Sequence, residues 1–357
     1  MLRQFARTFF NISMSKRNLS TTATLSSRVT IAGAVGGVGQ ALAMLVKTNT
    51  RVSDLGLYDL EDTKGLAADL SHIDTYSAVH AFAGKDQLRK SLMCSKILVI
   101  AAGAIRTDVK ASRDSLFEKN VGIVGEIVME AAEVCPDAMF VIITNPVNSF
   151  VPLTAEILKS KNVYDPKRLF GMSFMNSVRA STFVGDALIR NPQKTKIPVI
   201  GGHSRSTIVP VFSGIEPPID MEEELKTEIY NRVLNGGEAV LKAKKGKGTS
   251  QLAVAYAAKM LCDALLEGLE NAPARGTALV PSELTKSPYF SSSFELNAKG
   301  IKKLLKLPEL DADEKQYLEQ CMRTLDKEIQ KGVEQAKKII DAEAKKPKNK
   351  TGKEDCN

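Results

Sequence analysis

The 357-residue chain has no tryptophan, only three histidines, and five cysteines with no CxxC pair among them. Cysteines this scattered and odd in number argue against a disulfide framework or a zinc site, and suit a reducing compartment. No apolar run is long enough to cross a membrane, so no membrane span is expected. Acidic residues are missing from the whole start of the chain: the first is Asp54. The net charge of +8 is concentrated there and in the C-terminal tail, at Lys345, Lys346, Lys348, Lys350 and Lys353. Basic ends around a mixed-charge middle, without a recognition module, argue against a nucleic-acid partner.

The acid-free start has further character. MLRQFARTFF sets Arg3 and Arg7 one helical turn apart among Leu2, Phe5, Phe9 and Phe10, and a Ser/Thr-rich stretch follows. That is the composition of a mitochondrial transit peptide, so residues 1–27 are set aside and the mitochondrial matrix is the expected destination. Residues 344–357 are expected to be a solvated basic tail.

From Arg28 the pattern alternates. VTIAGA, LGLYDL, KILVIAAG and AMFVIITN predict four strands, separated by helical stretches such as ALAMLVKTN and SLFEKNVGIVGEIVMEAAEVC. Strand and helix in turn predict an α/β fold with a parallel sheet, and strands apolar throughout predict helices on both its faces. After Pro152 the rhythm loosens into strand-like IPVIGG and TIVPVFSG, then long helical stretches. In the last of these, Leu318, Met322, Leu325, Ile329, Val333, Ala336 and Ile340 recur at steps of three and four. This stripe predicts one long helix packed against its own protein.

The turn from first strand to first helix reads Gly33-Ala34-Val35-Gly36-Gly37-Val38-Gly39. Gly33, Gly36, Gly37 and Gly39 permit a tight turn and a close approach of backbone N–H groups to a pyrophosphate, aided by the helix dipole. The second strand ends at Asp59. A carboxylate there can accept hydrogen bonds from ribose hydroxyls and would repel a 2′-phosphate, which favours NAD over NADP.

These segments, with GLAADLSHI, AAGAIR, SRDSLFEKN, ITNPVNS, RLFG, VRASTFV and VIGGH in one order, resemble malate dehydrogenases of the mitochondrial and bacterial type, from about Arg28 to Ala342. The resemblance implies a Rossmann doubly wound parallel sheet over residues 28–150 and an α+β catalytic domain over 151–343. It implies His203 as proton acceptor, Arg179 as the cation for the substrate's C1 carboxylate, and Arg106 and Arg113 as arginines of a mobile lid, with Arg106 selecting a four-carbon diacid by binding its second carboxylate. Asn145 would bridge cofactor and substrate, and Asn120 and the Ile143–Asn145 backbone would face the nicotinamide. It further implies malate and oxaloacetate as substrates and pairing as a homodimer or dimer of dimers. The chemistry is coherent: arginine pairs with carboxylates bidentately, and histidine exchanges protons near neutrality. His72 is expected to be structural and His80 a surface residue.

The sequence departs from the family's pattern at several places. Where the family has an aspartate to hold the catalytic histidine, this chain has Asn176. Asparagine offers an acceptor oxygen but no charge; the corresponding change in a serine-protease triad costs roughly 10⁴ in rate. The lid RTDVKASR lacks the family's Pro-Gly pair and contains Asp108, and HSRST places Arg205 beside the histidine. Three readings follow: a malate dehydrogenase slowed by Asn176, a dehydrogenase of another 2-hydroxy acid, or a protein that keeps the fold and has a binding or structural role.

Overall fold

The computed structural model describes residues 27–105 and 113–345. The leader and nearly all of the tail lie outside them. β1 (Arg28–Ala32), α1 (Gly37–Lys47), β2 (Asp54–Asp59), α2 (Lys64–Ser71), β3 (Ala78–Ala83), α3 (Leu88–Leu92), β4 (Ile97–Ile100), α4 (Arg113–Val134), β5 (Met139–Ile142), α5 (Val147–Ser160) and β6 (Leu169–Gly171) come first. α6 (Met175–Ala187), β7 (Val199–Gly201), β8 (Ile208–Pro210), α7 (Glu223–Ala243), α8 (Gln251–Leu269), β9 (Ala274–Pro281), β10 (Tyr289–Asn297), β11 (Gly300–Leu304) and α9 (Ala312–Ala344) follow.

The sheet runs β3-β2-β1-β4-β5-β6 in parallel and continues through β9, β10, β7 and β8, antiparallel at each step, with β11 added to β10. Strand order reverses between β1 and β4, and in such sheets a crevice opens at the carboxyl ends of the strands on either side.

Side-chain alternation explains why both faces are covered. Leu98, Ile100, Phe140 and Ile142 join one core with residues of α4, α5 and α9. Ile97, Val99, Met139 and Val141 point the other way, into a core shared with α1 and α8. Successive strand residues face opposite sides, so strands apolar throughout build two cores at once. The expected C-terminal stripe is that of α9: Leu325, Ile329 and Ala336 are buried in the first core, with Leu318, Met322, Val333 and Ile340 packed at its border. The helix opens on a capping box in which Asp311 accepts from Glu314 N–H and the Glu314 carboxylate accepts from Asp311 N–H.

Five strands escaped the sequence reading, β11 (GIKKL) among them. β3, AVHAFA, is an edge strand with one buried residue, so it carries no continuous apolar run. β6 is only three residues long. β9 and β10 pair over eight positions, but Ser291, Ser292 and Ser293 interrupt the apolar signal of β10. Of the thiols, Cys135, Cys262 and Cys321 are free and buried, and burial pushes each up to about 12. Cys94, in the turn after α3, is disulfide-bonded. The sequence reading argued against a disulfide framework; one bonded cysteine departs from it without making a framework.

Candidate active site

The nucleotide end is assembled from strand ends. Gly33 leaves β1 at φ 92°, and a Cβ on it would run into the backbone of Ala102. Only glycine fits there. The N–H groups of Gly33 and Ala34 both donate to the Tyr58 carbonyl, at 2.8 and 3.0 Å, locking the turn to β2. Asp59 Oδ2 accepts from Val35 N–H at 3.0 Å and Oδ1 from Leu60 N–H at 2.8 Å. The carboxylate is therefore held over the glycine turn. Gly36 caps α1 without a side-chain hydrogen bond, and both Gly36 and Gly37 are exposed. An uncapped helix start beside a fixed carboxylate suits a dinucleotide: N–H groups for the pyrophosphate, Asp59 for the ribose. Gly39 is used differently, since a Cβ there would overlap the Gly33 carbonyl; it is a packing glycine.

Farther along the same edge, Asn120 is buried on α4. Its Oδ1 accepts from Ala104 N–H at 2.6 Å, and its Nδ2 donates to the Asn145 carbonyl at 3.0 Å. Asn120 thus ties the loop after β4 to the loop after β5. Thr144 Oγ1 donates to the Ala102 carbonyl at 2.8 Å and joins the same two loops.

Beyond the strand ends lies a cavity of about 190 Å³ lined by Asn145, Asn176, Arg179, His203, Arg205 and Ser250, among others. Ile143, Val38 and Glu238 also reach it. His203 sits in the turn between β7 and β8, which is anchored on two sides. Asn148 of α5 accepts from His203 N–H at 2.8 Å through Oδ1 and donates through Nδ2 to Thr207 Oγ1 at 3.0 Å and to Glu328 of α9 at 2.6 Å. Within the turn, Gly202 N–H donates to Thr207 O and Ser204 N–H to Thr207 Oγ1, at 2.7 and 2.9 Å. Gly201, at φ 92°, makes the reversal possible and leaves room for Cys321 beneath it, whose Sγ donates to Thr207 O.

Arg179 projects from α6. A Cβ on Gly236 of α7 would occupy the space of its guanidinium stem, so this glycine in the middle of α7 makes room for it. Burial holds the Arg179 guanidinium below its ordinary pKa. Among the described residues its only hydrogen bond is a long one, 3.4 Å to Ser250 Oγ, and it has no carboxylate partner. A cation partly buried and left this way costs stability unless an anion arrives.

Asn176, one turn earlier on α6, is 1% exposed. Its Nδ2 donates to the Gly202 carbonyl at 3.3 Å, and its Oδ1 is buried without a hydrogen-bond partner. It faces the histidine turn, and its contact is to the backbone before His203.

The chain thus brings Asn145, Ile143, Asn176, Arg179 and His203 to one cavity, with Asn120 directly behind and the glycine turn and Asp59 along the same sheet edge. Arg106 lies outside the described residues. Arg113 opens α4, and only its backbone is described. His80 lies on the surface, its Nε2 3.2 Å from Asp54 Oδ1, and His72 caps the C-terminal end of α2, exposed. Sequence reading passed over Asn148, Gly236 and Ser250. NPVNS and the helix-interior pair Gly236-Gly237 were the available signals.

Comparison with known proteins agrees with this construction. Residues 27–171 match the family model for the lactate/malate dehydrogenase NAD-binding domain, and residues 175–336 that for the lactate/malate dehydrogenase alpha/beta C-terminal domain. The chain belongs to the lactate/malate dehydrogenase family: it is an NAD-dependent oxidoreductase built on a Rossmann domain. It is 42% identical over 307 residues to a glyoxysomal malate dehydrogenase of Oryza sativa subsp. japonica, covering 86% of each chain. It is 40% identical to mitochondrial malate dehydrogenase 1 of Arabidopsis thaliana (89% of this chain, 93% of that one). With a mitochondrial malate dehydrogenase of Felis catus the identity is 38% (91% and 96%). Among solved structures, a Cryptosporidium parvum malate dehydrogenase superposes with a TM-score of 0.73 at 22% identity, covering 88% of this chain and all (100%) of that one. An Eimeria maxima lactate dehydrogenase with NADH and oxamate superposes with 0.74 at 21%, covering 90% and 97%. At such identities these two attest the fold.

Proposed function

We propose that the protein interconverts malate and oxaloacetate with NAD, and that Asn176 slows the proton-transfer half of the reaction. Bound NAD supplies the hydride acceptor. The observation that carries the reading is Arg179: a partly buried guanidinium with no carboxylate partner among the described residues, in one cavity with a histidine and an asparagine. It binds the substrate's C1 carboxylate. His203 takes the hydroxyl proton as the hydride leaves, and Asn145 orients the oxygen between them. Arg106 and Arg113 belong to the lid that closes over the diacid and excludes water. The cofactor half extends to about residue 150 and the substrate half to about residue 343.

Asn176 favours a second reading beside the first. With its Oδ1 unmet and its amide turned to the Gly202 carbonyl, it gives His203 no negative charge to stabilise an imidazolium. Taken to its limit, that describes a protein that keeps the pocket and has lost turnover. Assays of the purified protein distinguish the readings: NADH oxidation is expected with oxaloacetate and far less with pyruvate. Equal rates would point to another 2-oxo acid, and no oxidation with any of them to the binding role.

Two further features fit the family. Leu252, Tyr256 and Met260 form an exposed stripe at one-turn spacing on α8, and Met44 stands exposed on α1, which packs against it. This apolar face suits pairing of two copies; a monomer at micromolar concentration in sedimentation equilibrium would refute it. The Arg-rich, acid-free leader supports the mitochondrial matrix, and a reporter carrying residues 1–27 that stays outside mitochondria would refute that.

A further inference from the structure

Arg205 has no place in the roles described so far. It lies two residues past His203, in the turn that Asn148 and Thr207 anchor. Ser204 N–H and Oγ both meet Thr207 Oγ1, and Thr207 N–H donates to the Ser204 carbonyl at 2.8 Å. The turn is closed at its base, and Arg205 and Ser206 stand exposed at its tip. Arg205 nevertheless lines the same cavity as Arg179, His203 and Asn145. Among the described residues it forms no ion pair. The described lining therefore holds two guanidinium groups against one carboxylate, that of Glu238. The two arginines differ in depth: Arg179 is partly buried in the wall, whereas Arg205 is exposed at the open side.

Cations gathered around one small cavity repel each other when it is empty and are stabilised together by a ligand with two separated negative charges. A substrate held at Arg179 by its C1 carboxylate, with its reacting carbon beside His203, extends its other end toward the mouth. We infer that Arg205 is a specificity-determining residue that binds the second carboxylate of the substrate, adding a selector for diacids to the histidine turn. This rests on the reading of the cavity as a 2-hydroxyacid site. The turn fixes the arginine's backbone, so selection here needs no movement of the Arg106–Arg113 segment. Because the guanidinium is exposed, its contribution falls with ionic strength.

The test uses the full chain as parent, Arg205→Gln and Arg205→Lys. The NADH complex of each is titrated with hydroxymalonate, which has two carboxylates, and with oxamate, which has one, following NADH fluorescence. Where turnover allows, kcat/KM for oxaloacetate and pyruvate is measured as well. In the glutamine variant, hydroxymalonate binding should weaken about tenfold, the scale of one charge-assisted hydrogen bond. Oxamate should stay within about twofold, and lysine should restore most of the loss at low salt, since it keeps the charge without the planar fork. A diacid preference as large in Arg205→Gln as in the parent overturns the assignment while leaving the dehydrogenase reading intact. Equal weakening of both acids also overturns it, since that marks a disturbed His203 turn. A parent whose NADH complex takes neither acid contradicts the dehydrogenase reading itself, and the role of Arg205 falls with it.

Discussion

The two ends of the site are built on opposite principles. At the nucleotide end the functional groups are satisfied by their own backbone: Asp59 accepts from Val35 and Leu60, and the Gly33 turn is bonded to Tyr58. At the substrate end, groups are buried or partly buried and left short. Among the described residues, Arg179 reaches only Ser250, and Asn176 Oδ1 has no hydrogen-bond partner. The first end is a mould whose shape is complete without its occupant. The second holds unmet polarity that a bound acid satisfies, which ties affinity to the charge of the ligand.

That contrast can be broken by exchanging the properties. Among losses of activity the largest is expected from Arg179→Gln: kcat/KM for the acid should fall about 10²–10³-fold, the scale of removing one member of a hydrogen-bonded charge pair. The variant should unfold at the same or a higher temperature, because a partly buried charge without a carboxylate is removed. NADH affinity should not change. A clear loss of stability would show that Arg179 serves the fold in the unliganded protein. Asp59→Asn is expected to do the reverse. The amide oxygen keeps one backbone hydrogen bond but not the charge, so NADH should bind about tenfold more weakly and NADPH be discriminated against less. The melting point should drop as Val35 or Leu60 loses its partner; unchanged stability would mean that the carboxylate does not hold the turn. The smallest effect is expected from Asn148→Ala. It frees the His203 backbone from α5 and α9, and kcat should fall several-fold with little change in KM. An unaltered kcat would show that the Thr207 bonds alone position the histidine.

How legible each end was in the sequence follows from the same contrast. The nucleotide end depends on contiguous glycines and on an acid closing the next strand, so spacing along the chain was enough to find it. The two-core sheet was legible because its parallel strands are apolar throughout; β3 and β10 were not, because exposure and serine dilute that signal. The substrate end is gathered from α6, α7 and the β7–β8 turn. His203, Arg179 and Asn176 were located by resemblance. The supports are long-range: Asn148 to Glu328 joins residues 180 positions apart, and Gly236 matters only because Arg179 crosses it. Nothing in local periodicity encodes such meetings.

The central claim is that this is a working hydroxyacid site weakened at one atom. The most direct measurement compares NADH oxidation by oxaloacetate in the parent and in Asn176→Asp. Restoring the charge beside the His203 turn should raise kcat by up to about 10⁴ and leave NADH affinity unchanged. Equal turnover in the two proteins would contradict the claim that Asn176 limits the reaction, and absence of turnover in both would contradict the dehydrogenase reading.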